Sequence, residues 1–154
     1  MRPLRVYVET SVIGGKYDAE WKAGTEAFFD RVEAGRFRVV VSNQVREEIE
    51  PAPPVVRNFY NSELPKMEYL RFVPEVAELA ELYLAEKIVT EKYRADAVHV
   101  AYATIYNCAG VVSWNYTHLA NQGKSVKFNM VNAANGYPRL FIATPWEVLN
   151  YETE

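Results

Sequence analysis

Short apolar runs recur along the chain with almost no polar residue inside them. They cover residues 4–8, 37–41, 111–114 and 140–143. Runs of this length without polar alternation are typical of parallel strands that are buried on both faces. The pattern therefore predicts four buried strands, spread over the whole sequence.

Between these runs, apolar residues recur at intervals of three and four, as on one face of a helix. This spacing predicts helices over residues 18–34, 53–60, 74–87 and 94–107. Asp18 is the expected N-cap of the first, and Gly35 its expected end. Residues 66–73 fit neither period, so their structure stays open.

Two further helices are predicted from capping signals. Ser42 is a plausible N-cap for a short helix that ends near Glu50. Thr144, Pro145 and Glu147 have the spacing of a capping box with proline in the first turn, which predicts a short terminal helix. Gly14-Gly15 is expected to interrupt regular secondary structure after the first strand. Asn135-Gly136 predicts a turn, which either belongs to a functional loop or merely joins two elements.

Strands that alternate with helices predict a parallel sheet covered by helices on both faces. The expected fold is therefore a three-layer α/β/α sandwich with a mainly parallel central sheet. A length of 154 residues fits one domain, residues 1–154, and the sequence shows no internal repeat or convincing linker.

Composition and charge exclude several classes of protein. Hydrophobic residues make up 49% of the chain, which is enough for a proper core. The net charge of −3 gives no general electrostatic attraction for nucleic acid, so any such binding needs a local basic patch or a bound metal. No apolar run approaches a membrane span, no signal peptide is evident, and the one cysteine, Cys108, cannot form an intramolecular disulfide. We therefore expect a cytoplasmic protein.

Four polar residues lie where such a fold delivers side chains to a site. Glu9 and Asn115 directly follow predicted strands, Glu48 lies in the helix after the second strand, and Asp96 opens a strongly apolar helix. Ligands of open parallel sheets bind at the carboxyl ends of the strands. Three acids and an amide gathered there would form an all-oxygen site for Mg²⁺ or Mn²⁺.

Each of these residues also has an ordinary structural explanation. Glu9 could cap the following turn, and Glu48 could belong to a solvated run of charges. Asp96 could act only on the helix dipole, and Asn115 could be a turn residue. His99 is more simply explained as a hydrogen-bonded packing histidine than as a metal ligand, and the absence of a second histidine at suitable spacing argues against zinc.

Other catalytic chemistries find less support. The glycines lack the spacing of a phosphate-binding loop, and no serine stands in a nucleophile elbow. Cys108 ends an apolar helix, where burial is the simpler interpretation. Trp114 is expected to pack in the core, whereas Tyr116 and His118 are placed to stack on bases or touch phosphate.

Together these segments resemble the PIN domain family of metal-dependent nucleases, which includes the toxins of VapBC-type toxin–antitoxin pairs. The similar segments are Val8-Glu9-Thr10-Ser11, Ser42 through Glu48-Ile49, Asp96-Ala97-Val98-His99, and Val112-Ser113-Trp114-Asn115. They extend over nearly the whole chain, and their order and spacing are more specific than any one of them. The Ser-Trp-Asn segment looks like that of a particular subgroup.

The resemblance implies a Mg²⁺- or Mn²⁺-dependent endoribonuclease that cleaves single-stranded RNA. Glu9 and Asp96 would be the main metal ligands, Glu48 would hold the waters of the metal or a second ion, and Asn115 would offer a neutral oxygen or position the nucleophile. Expected substrate or positioning residues are Thr10, Ser11, Ser113, His118 and Arg46, with Lys16 and Arg94 as further candidate RNA contacts. Ordinary surface charge is an equally good explanation for these basic residues.

Two positions depart from the family pattern and support a second hypothesis. Glu9 stands where the family usually has Asp, and the neutral Asn115 stands where it usually has an acid. Because Mg²⁺ is strict about geometry, these changes fit an inactive binding or assembly module that keeps the fold. A third hypothesis is a metal-dependent phosphatase or DNA nuclease, since the site chemistry alone does not distinguish sugar or polymer.

Two kinds of protein partner are expected. The family resemblance implies a small antitoxin chain that places a basic side chain in the acidic cleft. The aromatic content of 14% favours a subunit interface, and we therefore predict a homodimer.

Overall fold

The structure, a computed structural model, describes residues 2–151, whose five strands form one sheet in which every pairing is parallel. The strands are β1 (Leu4–Val8), β2 (Phe37–Ser42), β3 (Glu68–Leu70), β4 (Gly110–Val112) and β5 (Phe141–Ala143), and their order across the sheet is β3-β2-β1-β4-β5. The predicted parallel sheet is therefore confirmed.

Helices cover both faces of this sheet, as predicted. They are α1 (Thr10–Gly15), α2 (Lys22–Glu33), α3 (Asn43–Ile49), α4 (Pro54–Glu63), α5 (Pro74–Ala85), α6 (Arg94–Ile105), α7 (Gln122–Ala134) and α8 (Pro145–Val148). The α2 helix packs against α8, while α5 packs against α6 and touches α7. No helix within residues 2–151 is long and apolar enough to cross a membrane.

The capping predictions are mostly confirmed. The hydroxyl of Ser42 accepts hydrogen bonds from the backbone N–H groups of Gln44 and Val45 at the start of α3. The Thr144–Glu147 capping box is complete at α8. The Gly35 backbone has a φ of +80°, so this residue takes the left-handed conformation that follows α2.

Three segments differ from the sequence predictions. The α2 helix begins at Lys22 rather than at Asp18, because the Asp18 carboxylate accepts the N–H of Glu20 in a preceding turn. Gly14 and Gly15 lie inside the short α1 helix. The ambiguous residues 66–73 contain strand β3, in which Glu68 pairs with the Arg5 guanidinium of β1 at 2.8 Å.

The α7 helix lacked a clear periodic signal and was not predicted. Of its apolar residues, Val126 and Met130 stay exposed, while Phe128 and Val131 are buried. Asn135 caps this helix at its C-terminal end, and Gly136 follows with a φ of +80°. The Asn135-Gly136 turn therefore joins α7 to the segment that leads into β5.

The sheet order places a topological switch between β1 and β4. Along the chain, β2 and β3 are added on one side of β1, and β4 and β5 on the other. Loops that leave neighbouring strands at such a point diverge to opposite faces and open a crevice at the carboxyl edge. Glu9, directly after β1, and Ser113, directly after β4, stand at this crevice.

A glycine in β4 permits its close packing against β5. A Cβ atom added at Gly110 would lie 2.3 Å from Cδ1 of Phe141, which is inside van der Waals contact. We expect Gly110→Ala to lower the free energy of unfolding by about 1–3 kcal/mol, because the ring or the backbone must move. Urea denaturation measures this loss. Gly14→Ala is the matched control, since a Cβ there meets nothing within 4 Å, and equal effects of the two substitutions would contradict the argument.

Candidate metal centre

Glu9 is held at the carboxyl end of β1 by hydroxyl and backbone donors. It is the N-cap of α1, and its Oε2 accepts the N–H of Ser11 at 3.1 Å. Its Oε1 accepts the hydroxyls of Ser11 and Ser113, each at 2.6 Å. The side chain is only 7% exposed, so these donors replace much of the water that a carboxylate needs.

Glu48 is fixed by three donors from three different elements. Its Oε1 accepts the Thr10 hydroxyl at 2.5 Å and contacts His99 Nε2 at 2.9 Å, while its Oε2 accepts the Gln44 amide at 2.9 Å. The neighbouring Glu47 is exposed instead, and among the described side-chain contacts it accepts a hydrogen bond only from Asn43.

A buried chain of hydrogen bonds leads from Glu48 into the sheet. The other ring nitrogen of His99, Nδ1, lies 2.6 Å from the Tyr7 hydroxyl, and this hydroxyl lies 2.6 Å from Ser42 Oγ. Tyr7 and His99 are almost completely buried. The chain fixes the imidazole ring in position and thereby one oxygen of Glu48.

Glu48 and His99 form an ion pair that favours the charged form of both groups. Burial by itself raises the pKa of Glu48, but the hydrogen bond and the charge of His99 outweigh it and lower this pKa to about 2. Burial likewise lowers the pKa of His99, whereas its hydrogen bond to Glu48 and the nearby charge raise it above the usual value.

Asp96 lies in the first turn of α6 and faces the same acidic cluster. Burial raises its pKa to about 6, and the negative charge of Glu9 adds to this effect. Its Oδ1 accepts the side-chain amide of Asn115 at 3.3 Å. The oxygen of that amide accepts the backbone N–H of His118 at 3.0 Å, so the nitrogen and the oxygen of the Asn115 amide are both engaged in hydrogen bonds.

These contacts decide which atoms are available to a cation. One ligand atom each of Glu9, Glu48 and His99 lies within 4.8 Å of the others. The two ring nitrogens of His99 are, however, occupied by Tyr7 and Glu48, and a protonated imidazole has no lone pair to donate. The carboxylate oxygens of Glu9 and Glu48 are therefore the donors of this group that suit a hard cation. Asp96 is not in this group but is close enough for the charges of both glutamates to raise its pKa, and it is a further candidate ligand.

The assignment of the acids to a metal site stays a prediction, and sequence analysis did not identify the contacts that Tyr7 and His99 make beside them. His99 was interpreted as a packing histidine, and its burial and hydrogen bonds agree with that. Its contact with Glu48 joins α6 to α3 across 51 residues of sequence. The sequence signal for a role of His99 at the site is that it follows Asp96 by three residues, a spacing that places the two side chains at neighbouring positions on the surface of α6.

The hydroxyl residues expected near substrate contact the acids instead. Thr10 donates to Glu48, and Ser11 and Ser113 donate to Glu9. Ser11 Oγ also accepts the backbone N–H of Trp114, which ties the α1 loop to the segment after β4. These three residues orient the carboxylates, while their contact with a substrate stays a prediction.

The basic residues that were predicted to contact RNA lie in different surroundings. Arg46 donates to Asn43 and to the Tyr69 hydroxyl, and Arg94 forms ion pairs with Glu81 and Glu91. The Lys16 ammonium lies 4.8 Å from the centroid of the Phe59 ring, and the His118 ring stacks on Tyr93 with centroids 3.8 Å apart. Arg94 is thus already neutralised by carboxylates.

Comparison with known proteins adds the fold but no close relative. No protein-family model matches the chain, and no curated protein matches it. Among the solved structures that match it, the three described below share 12–16% sequence identity with it, so they bear on the fold alone.

Three of these structures cover most of the chain. VapBC2 from Rickettsia felis, bound to a promoter DNA fragment, superposes with a TM-score of 0.59 at 12% identity over 92% of this chain and 98% of that one. FitAcB from Neisseria gonorrhoeae gives 0.59 at 16% identity over 92% and 98%. VapC20 from Mycobacterium tuberculosis, a toxin that cleaves the sarcin–ricin loop, gives 0.53 at 15% identity over 88% and 98%. The protein described here therefore has the PIN-like α/β/α fold of VapC-type toxins.

Proposed function

We propose that this protein is a metal-dependent endoribonuclease that cleaves single-stranded RNA. The observation that carries the proposal is the pair Glu9 and Glu48, whose ligand atoms lie within 4.8 Å of one another, beside Asp96, whose pKa the charges of both acids raise. Hydrogen bonds orient each of the three side chains. A bare cluster of acids repels phosphate, and a divalent cation reverses that repulsion. The similar fold of VapC20, described as a sarcin–ricin loop cleaving toxin, supports RNA as the substrate.

Glu9, Asp96 and Glu48 would hold Mg²⁺ or Mn²⁺, directly or through water. When bound, such an ion activates a water molecule and neutralises charge on the scissile phosphate. Ser11 and Ser113 keep Glu9 in one orientation, because both donate to the same carboxylate oxygen. His99, Thr10 and Gln44 do the same for Glu48, so two carboxylates are preorganised before the cation arrives.

Asp96 is the carboxylate most sensitive to the presence of a cation. Its pKa of about 6 reflects burial beside Glu9. If these carboxylates hold a divalent cation, its positive charge would offset the repulsion and favour the ionised form of Asp96. We assign to Asn115 the role of orienting the Asp96 carboxylate, because its amide nitrogen donates to Asp96 while its amide oxygen accepts the backbone N–H of His118.

The alternative is a module that keeps the fold and binds partners without cleaving RNA. The neutral amide of Asn115 favours it, because the site then holds one negative charge fewer. This alternative predicts weak affinity for Mg²⁺ and no cleavage with any metal.

A panel of single-stranded RNA, DNA and small phosphate esters separates the proposed endoribonuclease from a phosphatase or a DNA nuclease.

An antitoxin partner and a homodimer belong to the same proposal. VapBC2 and FitAcB, which have similar folds, are named as complexes, and this supports a small partner chain here. Exposed Val126 and Met130 on α7 support a self-association surface. Light scattering tests the dimer, and a single 17.7 kDa particle at high concentration would contradict it.

Asp96→Asn tests the nuclease directly. We expect cleavage of labelled single-stranded RNA in Mn²⁺ to fall by at least about 100-fold, because a charged ligand of the cation is replaced by a neutral one. Gel electrophoresis of the products measures the loss, with an EDTA-treated sample beside it. Glu47→Gln removes a charge from exposed Glu47 and should leave the rate unchanged. Cleavage that survives both Asp96→Asn and EDTA would reject the proposal.

Glu48→Gln tests the ion pair with His99 in metal-free protein. We expect the free energy of unfolding near neutral pH to fall by about 1.5–3 kcal/mol, the usual worth of a hydrogen bond to a charged group. The difference from wild type should shrink as the pH falls from 4.5 towards 2, through the lowered pKa of Glu48. It should also shrink as the pH rises through the raised pKa of His99.

Urea denaturation in EDTA across this pH range gives the difference. Glu47→Gln again serves as the matched control and should show no such profile. A difference between Glu48→Gln and wild type that does not change with pH would contradict the assignment.

Asn115→Asp tests whether the neutral amide of Asn115, where the family pattern usually has an acid, limits cation binding. An added carboxylate beside Asp96 should raise the affinity for Mn²⁺ by about tenfold, because one more negative charge faces the cation. It should also destabilise the metal-free protein, since the donor to Asp96 is lost and a like charge takes its place. Isothermal titration calorimetry measures the affinity, and an unchanged value would show that Asn115 lies outside the reach of the cation.

A further inference from the structure

A groove beside the acidic cluster is lined by aromatic side chains that the site described above does not use. Its volume is about 500 Å³, and its lining residues are Ser11, Gly14, Gly15, Tyr17, Asp18, Trp21, Pro53, Val55 and Val56. A cleft of this size accommodates a nucleotide-sized ligand. Tyr17 and Val55 remain strongly exposed, although large apolar groups are usually covered in monomeric proteins.

The groove and the proposed metal site share one residue, Ser11. The hydroxyl of this residue donates to Glu9 at 2.6 Å, while the residue itself lines the groove. A strand with its phosphate at the acidic cluster therefore has its neighbouring nucleotide within reach of the groove.

All three tryptophans of the chain meet on this side of the molecule. Trp21 stacks on Trp114 with ring centroids 4.6 Å apart, and the indole of Trp114 donates to the buried hydroxyl of Thr25 at 2.9 Å. Gly24 lets Trp146 approach, because a Cβ there would lie 2.5 Å from Trp114 and 2.9 Å from Trp146. Buried Trp114 thus supports Trp21 from behind, as sequence analysis expected of a packing residue, and leaves Trp21 partly exposed at the groove.

The charges around the groove favour a base inside it and a phosphate at its edge. Asp18 lines the groove and would repel a phosphate there, whereas its carboxylate can accept a hydrogen bond from a base. The positive charge of Lys16 lies nearby, because both Lys16 and Tyr17 contact the ring of Phe59.

We propose that the groove between Tyr17 and Trp21 is a subsite that stacks one unpaired nucleobase of the RNA, next to the nucleotide whose phosphate lies at the acidic cluster. The inference rests on the proposed function. Base stacking on aromatic rings needs a strand whose bases are free, so the groove selects single-stranded or looped RNA over a duplex. Tyr17 and Trp21 then act in substrate selection, and the acids act in chemistry.

Binding of intact and abasic RNA tests the subsite without relying on cleavage. Wild-type protein is titrated in Ca²⁺ with a labelled single-stranded RNA and with strands that lack one base at successive positions, and gels check that the strands stay intact. All strands carry the same charge, so a difference reports the base alone. We expect removal of one particular base to weaken binding by about tenfold, as stacking on aromatic residues predicts. Equal affinity for all strands, or no binding of RNA, would overturn the subsite.

Substitutions then locate the effect. In Tyr17→Ala and Trp21→Leu the intact and abasic strands should bind equally. Tyr151→Ala is the matched control, because Tyr151 is as exposed as Tyr17 and likewise contacts a phenylalanine, but it lies beside Phe141 at the start of β5. A preference for the intact strand that persists in Tyr17→Ala and Trp21→Leu would overturn the assignment.

A blocked groove gives a test that does not remove packing residues. A side chain at Gly14 enters open space at the groove, so Gly14→Leu should fold, fill the groove and abolish the preference for the intact strand. Gly14→Ala should keep that preference. If Gly14→Leu folds and still prefers the intact strand, the base lies elsewhere. If the wild-type protein cleaves RNA but binds the intact and abasic strands equally, the subsite is rejected and the nuclease is not. If it prefers the intact strand but does not cleave RNA, the nuclease is rejected and the subsite is not.

Discussion

Repulsion between the negative charges of Glu9, Glu48 and Asp96 at the carboxyl edge of the sheet governs the polar contacts around these residues. Ligand atoms of Glu9 and Glu48 lie within 4.8 Å of one another, and the charges of both raise the pKa of Asp96 in a partly buried space, where charges interact more strongly than in water. The protein offsets this cost in different ways: hydroxyl donors hold Glu9, a buried histidine pairs with Glu48, and the pKa of Asp96 rises to about 6.

These compensating groups explain why elements distant in sequence must meet. The donors to Glu9 come from α1 and from the segment after β4, and the partner of Glu48 comes from α6. Tyr7 reaches out from β1 to fix His99, and Ser42 supports Tyr7 while it also caps α3. The same residues therefore serve the packing of the sheet and the geometry of the site.

The aromatic groove extends this organisation on the other side of Ser11. Chemistry and substrate selection would then be divided between two adjoining surfaces: carboxylates at the switch point and aromatic rings between α1, α2 and α4. The division also suits a protein with a net charge of −3, because neither the bound cation nor base stacking requires a basic surface.

Local apolar periodicity and capping signals predicted four of the five strands in residues 2–151 and most of the helices there. Ser42 and Thr144 cap the helices that they were expected to cap. Strand β3 and helix α7 escaped prediction, because three residues are too few for a period and α7 buries few apolar side chains.

Which polar residues contact one another at the site depends on the packing of sheet and helices. The link between His99 and Glu48 and the role of Asn115 as a donor to Asp96 depend on contacts across long stretches of chain. The groove likewise exists only because Trp114, from the segment after β4, packs behind Trp21. Such contacts leave no periodic trace in the sequence, since hydrogen bonds and ring stacking depend on atomic distances that only the packed sheet and helices define.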